Sequence, residues 1–399
     1  MTPERAVIVG ASHAGAQLAA NLRREGWSGE VVLIGDEGGL PYHRPPLSKG
    51  YLAGKNGLDD LLIRGADFYE KQHIRLLNAT VEAIHRSAKR VSLSTGDTLT
   101  YTKLALCTGA RARRLPTPGV DLPGIHYLRT AADVELIRAA ATPGRRVVIV
   151  GGGYIGLETA ASLCSLGMNV TVLEATERVL ERVTAPEVSA FYTRIHRGEG
   201  VEIRTHALVE AFSGNGGVQE VVLADGESIP ADLVIVGVGV VPNTELASAA
   251  GLSVDNGIVI DDQARTSDPD IVAAGDCTSH TMARYGSPIS FESVSSAGEQ
   301  AKIAAATICG KHSAIAALPW FWSDQYDLKL QIAGLNAGYD ELLLSGDPSR
   351  DRDFSCFYFR EGELIAADCV NRPRDFMSSK RAISQQLRVD RSELLAGSI

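Results

Sequence analysis

The chain lacks a cysteine framework, an apolar run of membrane length and any excess of positive charge. Its six cysteines (Cys107, Cys164, Cys277, Cys309, Cys356 and Cys369) are scattered, the closest two standing 13 residues apart. Such spacing suits neither a disulfide scaffold nor a zinc site, and it fits a reducing compartment. No apolar stretch approaches the roughly 20 residues of a membrane span. The strand pattern at residues 6–9 follows Met1 too closely to leave room for a secretory leader, so the expected location is the cytoplasm. Lys and Arg total 39 against 48 Asp and Glu, a net charge of -9, which argues against general binding to nucleic acid or anionic membranes.

What is present begins with length and core. With 399 residues, 45% apolar and 22% charged, the chain can form about two to four domains with large cores. Residues 147–174 read VVIVGGGYIGLETAASLCSLGMNVTVLE. A β-branched run meets three glycines, an apolar helix is expected over 154–166, and a second β-branched run ends on an acid: a βαβ unit. Gly151 permits the tight turn out of the strand, Gly153 lets the backbone approach a pyrophosphate, and Gly156 allows close packing of helix on strand. Glu174 follows Gly156 by 18 residues. There a carboxylate accepts both hydroxyls of an adenosine ribose and repels a 2′-phosphate, so the coenzyme reading is NADH rather than NADPH, with Arg178 and Arg182 as the opposing feature.

Residues 5–36 repeat the theme: a strand at 6–9, the turn Gly10-Ala11-Ser12-His13-Ala14-Gly15, a helix over 14–24 and a strand at 31–34 ending on Gly35-Asp36. A second nucleotide site is expected, with Ser12 standing where the middle glycine of the fingerprint belongs. Residues 40–52, LPYHRPPLSKGYL, are expected to be loop as far as Ser48, because proline fixes φ and restricts its predecessor. Lys49 is then expected to open a short helix; on its own it reads as a solvated lysine. The patterns at 81–84, 91–93 and 104–106 suggest a small antiparallel sheet. The basic, proline-rich run 111–118 looks like a linker into the domain holding the central βαβ unit. Residues 268–276, DPDIVAAGD, form a short apolar strand that sets Asp276 beside a glycine, either to hold sugar or ribityl hydroxyls or as an ordinary turn acid. A helix is expected over 292–308, followed by short strands at 328–332, 342–344, 354–359 and 364–367 and a basic helix over 375–387.

The succession VIVGASHAG, RPPLSKGYL, LALCTGARARRLPTPG, IVGGGYIGLE, AAGDC, FESVSSAGEQ and PWFWSDQYDLKLQIAGL resembles, over essentially the whole chain, the NADH-dependent, FAD-containing ferredoxin reductases of the oxygenase-coupled family. Ser12, Cys107 and Ser295-Ser296 depart from that pattern. The resemblance implies an α/β, glutathione-reductase-like fold with two nested Rossmann-type nucleotide-binding domains plus a C-terminal α+β domain. The division would be 1–112 and 240–317 for FAD, 113–239 for NAD and 318–399 for the C-terminal domain.

It further implies FAD at the first fingerprint, with Gly10, Ala14 and Gly15 at the pyrophosphate and Asp36 at the adenosine ribose. Lys49, Val81 and Arg129 would line the flavin or its phosphates, and Asp276 would hold the ribityl chain. Val294 would offer its N–H to the pyrimidine edge from a helix N-terminus, where an anion is stabilised by up to ~2 kcal/mol. NAD would lie on Gly151, Gly153, Tyr154, Ile155, Gly156, Glu174 and Gly239. Lys49 and Glu158 would form the catalytic pair, Glu158 orienting the carboxamide and Lys49 compensating charge. Trp320 and Trp322 would border the flavin on the side facing the electron carrier, or be plain core aromatics.

The implied activity is NADH:ferredoxin oxidoreductase, passing single electrons to a 2Fe-2S ferredoxin that serves a haem-thiolate monooxygenase or a ring-hydroxylating dioxygenase. A rubredoxin reductase, a disulfide or peroxide reductase on the same fold and a non-catalytic signalling flavoprotein are the alternatives. The disulfide reading requires a reactive cysteine near the first helix, and residues 40–52 contain none. An acidic ferredoxin would need local positive charge, which residues 371–391 supply: Arg372, Arg374, Lys380, Arg381, Arg388 and Arg391 against Asp375 and Asp390, with Lys302 as a further contributor.

Overall fold

The computed structural model describes residues 4–282, 284–285, 288–289 and 292–396. The chain clusters into two compact units. One is built from the segment up to His43 with Leu61–Arg111 and Val241–Pro319; the other from Arg44–Asp60, Ala112–Val240 and the segment from Trp320 onward.

In the first unit a five-stranded parallel sheet runs in the order Ile271–Ala273, Lys103–Leu106, Arg5–Val9, Glu30–Gly35, Ile74–Asn78. Val7, Ile8, Val32, Leu33, Leu104, Ala105 and Leu106 are wholly inaccessible. Successive residues point to opposite faces, so both faces of this sheet are covered, as parallel sheets require. Helices His13–Glu25 and Val294–Ile308 pack against each other. Residues 104–106 therefore belong to the parallel sheet and not to the expected antiparallel one. That sheet is completed instead by Thr98–Thr100, beside Val81–His85 and Arg90–Leu93. A four-residue apolar strand buried on both faces carries no alternation that would tell the two apart.

The second unit holds a parallel sheet ordered Glu202–Arg204, Asn169–Leu173, Arg146–Val150, Leu233–Val236, Ile125–Tyr127. It also holds a five-stranded antiparallel sheet ordered Trp320–Gln325, Leu328–Gly334, Glu363–Val370, Phe354–Arg360, Glu341–Ser345, on which the helix Pro373–Gln385 packs. The strand Trp320–Gln325 was not expected from the sequence. The prolines of residues 40–52 act differently from the expectation. Pro45 opens a 3-10 turn, Pro45–Ser48, where a missing N–H costs nothing, and Lys49 follows its end instead of starting a helix. This turn packs against helices Ala131–Ala140 and Tyr154–Ser165. Among the described residues no helix is long and apolar enough to cross a membrane, and no cluster of ligating side chains is arranged to hold a metal.

Candidate active site

Each parallel sheet ends in the same backbone device. In the first unit Gly10 leaves its strand at φ +106°, and a Cβ there would lie 2.0 Å from the Cys107 carbonyl oxygen. A Cβ on Gly15 would lie 1.9 Å from the Gly10 oxygen. In the second unit Gly151 has φ +112°, its Cβ would lie 2.3 Å from the Gly237 oxygen, and that of Gly156 would lie 2.1 Å from the Gly151 oxygen. Both loops open helices whose first N–H groups have no side-chain cap: His13–Glu25 behind Ser12, and Tyr154–Ser165 behind Gly153. Gly153, by contrast, faces open space. The backbone thus fills every position where helix meets strand and leaves room where a pyrophosphate belongs, at a helix N-terminus. Ser12 is extended, at φ -118° and ψ -153°, a conformation open to any residue. The lost glycine therefore strains nothing.

The two acids stand just beyond their strands, and one of them is already engaged. Asp36 is exposed just beyond the strand Glu30–Gly35. Glu174, just beyond Asn169–Leu173, is already engaged: its Oε2 accepts the Gly152 N–H at 2.8 Å, and its Oε1 accepts the Thr176 N–H at 2.9 Å and hydroxyl at 3.0 Å. Arg178 is held too, donating to the Ser189 Oγ at 2.6 Å and the Glu181 carbonyl at 3.0 Å. Arg182 is exposed.

Glu158, on the second turn of Tyr154–Ser165, is the centre of a buried polar group in the second unit. Its side chain is only 4% exposed and that of Lys49 18%, and Lys49 Nζ lies 2.8 Å from Glu158 Oε2. Lys49 also donates to the Pro45 carbonyl at 3.0 Å, so the 3-10 turn aims the ammonium. Ser48 Oγ donates to the same carboxylate oxygen at 2.5 Å, and Ser162 Oγ ties the Ser48 carbonyl to the helix at 2.7 Å. Ser323 Oγ donates to the other oxygen, Oε1, at 2.6 Å. Of this polar group the sequence reading named Lys49 and Glu158 and did not name the serines. Ser48 is adjacent to Lys49, a usable signal; Ser323 is 165 residues from Glu158, and nothing local connects them.

The other expected residues fall as follows. In the first unit Val81 is buried at the start of Val81–His85. Asp276 follows Ile271–Ala273 and Gly275, whose N–H donates to the buried Gln300 Oε1 at 2.7 Å. Val294 is the first residue of Val294–Ile308, capped by Ser293, which accepts the Ser296 N–H. In the second unit Arg129 precedes a capping box, Thr130 with Asp133, and its carbonyl accepts from Arg44 at 2.7 Å. Ile155 is 42% exposed, while the half-buried Tyr154 has its ring 4.9 Å from that of Phe321 and a buried hydroxyl without a partner. Gly239 has φ +98° with open space beside it. Trp320 stacks on Trp322 with centroids 5.4 Å apart, and the Lys380 ammonium lies 4.6 Å from the Trp320 centroid.

No thiol is activated. All six cysteines are free, and burial pushes every one of them above the ordinary thiol value, Cys107 and Cys356 well above it. Nucleophilic thiol chemistry requires the opposite shift.

Comparison with known proteins agrees with this geometry. Residues 4–304 match the pyridine nucleotide-disulphide oxidoreductase family, and residues 320–398 match the reductase C-terminal family. The chain is 47% identical to putidaredoxin reductase of Pseudomonas putida over 97% of its own length and 93% of that protein's. It is 42% identical to the ferredoxin–NAD(+) reductase component of the anthranilate 1,2-dioxygenase system of Burkholderia cepacia, over 99% and 97%. The crystal structure of a covalent putidaredoxin reductase–putidaredoxin complex superimposes with a TM-score of 0.95 at 45% identity, covering 99% of each chain. Two dinucleotide loops, a C-terminal antiparallel sheet and these full-length matches make the chain a member of the pyridine nucleotide-disulphide oxidoreductase family, in its branch with a reductase C-terminal domain.

Proposed function

We propose that this protein is a cytoplasmic, FAD-dependent NADH:ferredoxin oxidoreductase serving a haem-thiolate monooxygenase or a ring-hydroxylating dioxygenase. The observation that carries the reading is two complete dinucleotide loops in a chain without an activated thiol. Such a chain handles hydride and single electrons, not disulfide exchange. When bound, NADH supplies the hydride and FAD the centre that takes up the pair and releases it one electron at a time.

The residues supply binding and electrostatics. Gly10, Ala14, Gly15 and Asp36 hold the FAD pyrophosphate and ribose, and Lys49, Val81 and Arg129 keep their assignment to the flavin or its phosphates. Asp276, Val294 and Trp320 take the ribityl chain, the pyrimidine edge and the carrier-facing border. Gly151, Gly153, Tyr154, Ile155 and Gly156 hold the NAD pyrophosphate through backbone N–H groups, with Glu174 at the ribose and Gly239 beside the coenzyme. On this reading 1–112 with 240–317, 113–239 and 318–399 are the FAD, NAD and C-terminal domains. The Lys49–Glu158 pair is preorganised for the hydride step: three donors fix the carboxylate before coenzyme arrives.

The acceptor is a 2Fe-2S ferredoxin, a reading supported by relatives named for such systems. Arg374, Lys380 and Arg381, in the second unit, are its docking residues, and Lys302, in the first, keeps its assignment as a further contributor. Arg372 contributes less, because its guanidinium is spent on Asp353 at 2.6 Å. The test is anaerobic reduction by NADH followed by mixing with a panel of 2Fe-2S ferredoxins and rubredoxins. Fast reduction of a ferredoxin is expected; transfer to rubredoxin alone, or to a disulfide substrate, overturns the reading.

A further inference from the structure

The strand Trp320–Gln325 divides its side chains by parity. Trp320 and Trp322 stack on one face, while Phe321, Ser323 and Gln325 point to the other. On that second face Phe321 meets Tyr154, Ser323 reaches Glu158, and Gln325 reaches His196 on the helix Pro186–Gly198.

These contacts form one line. Ser323 Oγ donates to Glu158 Oε1 at 2.6 Å, Gln325 Nε2 donates to Ser323 Oγ at 3.1 Å, Gln325 Oε1 lies 2.8 Å from His196 Nε2, and His196 Nδ1 lies 3.1 Å from the Tyr326 hydroxyl. Ser323, Gln325 and His196 are each 1% exposed or less. The direction of every bond follows from its first. A carboxylate paired with Lys49 has no proton to give, so Ser323 spends its only hydrogen on Glu158 and accepts from Gln325. The amide must then present its oxygen to His196, which places the imidazole proton on Nε2 and leaves Nδ1 to accept from Tyr326. Burial favours the neutral ring that this tautomer needs, holding His196 at about 4, partly opposed by the Gln325 contact. Tyr326 is held at φ +56° in the turn that follows the strand, with its ring 5.1 Å from that of His196. A non-glycine residue is kept in that region only by its surroundings. An amide in mid-chain does not relay protons, so the line is a set of fixed dipoles and not a proton path.

We propose that Ser323, Gln325 and His196 are positioning residues for hydride transfer, a hydrogen-bonded chain in which every donor points at the Glu158 carboxylate and holds it in register with Lys49. This rests on the reading of Lys49 and Glu158 as the catalytic pair. The C-terminal sheet thereby takes part in the coenzyme step through the face opposite its tryptophans.

The experiment compares the holoenzyme with Ser323→Ala, Gln325→Glu, Glu158→Gln and the double variant Glu158→Gln/Ser323→Ala. Stopped-flow reduction by NADH yields a limiting rate and a Kd for each. Ser323→Ala is expected to lower the limiting rate about tenfold, the loss of one charge-assisted hydrogen bond, with Kd within about twofold. The double variant is expected to be no slower than Glu158→Gln, because the serine acts through Glu158. Histidine 15N spectra supply a readout independent of turnover: His196 is a neutral Nε2–H ring at pH 7. Gln325→Glu, nearly isosteric, turns that ring into a cation and slows reduction as Ser323→Ala does. A slow Glu158→Gln enzyme beside an unaffected Ser323→Ala overturns the chain and leaves the catalytic pair standing. An unaffected Glu158→Gln overturns the pair and the chain with it. Equal slowing by Ser323→Ala in both backgrounds, or a His196 ring that carries its proton on Nδ1, also overturns the proposal; should Ser323→Ala not fold, Gln325→Glu with its spectrum decides.

Discussion

Glu174 is held by the same loop that the proposed coenzyme site is built on. Both of its oxygens already accept hydrogen bonds from the chain, which locks the acid beside the glycine loop and leaves a lone pair on Oε2 for the proposed ribose contact. Arg178, the cation nearer to Glu174 in sequence, is tied to Ser189 and Glu181. NADH should therefore exceed NADPH in kcat/KM for ferricyanide reduction by well over tenfold, more than about 1.4 kcal/mol; equal values would sink the NAD assignment. A different carboxylate reports on stability. Asp368 is fully buried, accepts hydrogen bonds from Thr184 and Tyr358 on Oδ2, and has no partner on Oδ1. Burial raises it from 3.8 to about 6, against the pull of those two donors. The folded state thus keeps this proton where the unfolded chain has lost it, so Asp368 contributes most below pH 4 and costs stability as pH rises to about 6. The loss is on the order of 3 kcal/mol. Asp368→Asn keeps an acceptor for both hydroxyls and does not titrate. Its Tm relative to the parent should rise between pH 4 and 6.5 and level off above; a pH-independent difference would show that the carboxyl is ionised throughout.

At the level of elements, the two glycine loops separate folding from binding. Gly156 and Gly153 are three residues apart at the start of one helix, yet a methyl on the first strikes the Gly151 carbonyl and a methyl on the second meets nothing. Gly156→Ala should destabilise the protein by roughly 1–3 kcal/mol, the range for overpacking a tight contact, and lower Tm without NADH present. Gly153→Ala should leave Tm unchanged and weaken NADH binding, because its cost falls on the pyrophosphate alone. Titration of both variants with NADH and a thermal melt of each suffices; a Gly153→Ala protein that binds NADH normally would place the pyrophosphate elsewhere. The expectation that residues 45–48 are loop failed because proline suits the first position of a turn and only disfavours helical angles in its predecessor: Arg44 takes them, at φ -77° and ψ -31°.

For the whole molecule, charge is the open variable. The net value is -9, and the basic stretch near the C-terminus is weaker in three dimensions than in one. Asp353 neutralises Arg372 and Glu341 neutralises Arg391, so two of its six cations are paired outside the stretch. Lys380 is partly buried over Trp320, and burial lowers its pKa, whereas Arg381 is exposed. Arg381→Glu therefore changes charge alone, and Lys380→Glu also removes a cation–π contact worth roughly 0.5–2 kcal/mol. The double reversal should slow ferredoxin reduction and flatten its dependence on ionic strength while NADH-to-ferricyanide turnover stays intact. A parallel fall in both activities would make the helix structural, and no change in either would move the docking face.

The amino-acid sequence alone determined the two βαβ units, their turn glycines and the acids at Asp36 and Glu174. Each of these is specified within about thirty residues by strand, turn and helix patterns that physics reads locally. Lys49 and Glu158 differ: local pattern left Lys49 a solvated lysine, and only the resemblance paired the two. That Ser48 and Ser323 converge on Glu158 from 110 and 165 residues away, that Gln325 and His196 extend the line, and that Asp368 is sealed under Tyr358 were decided by the tertiary structure alone. Packing brings them together: a strand chooses which of its faces to bury only when the sheet it joins, and the helices beneath that sheet, are in place.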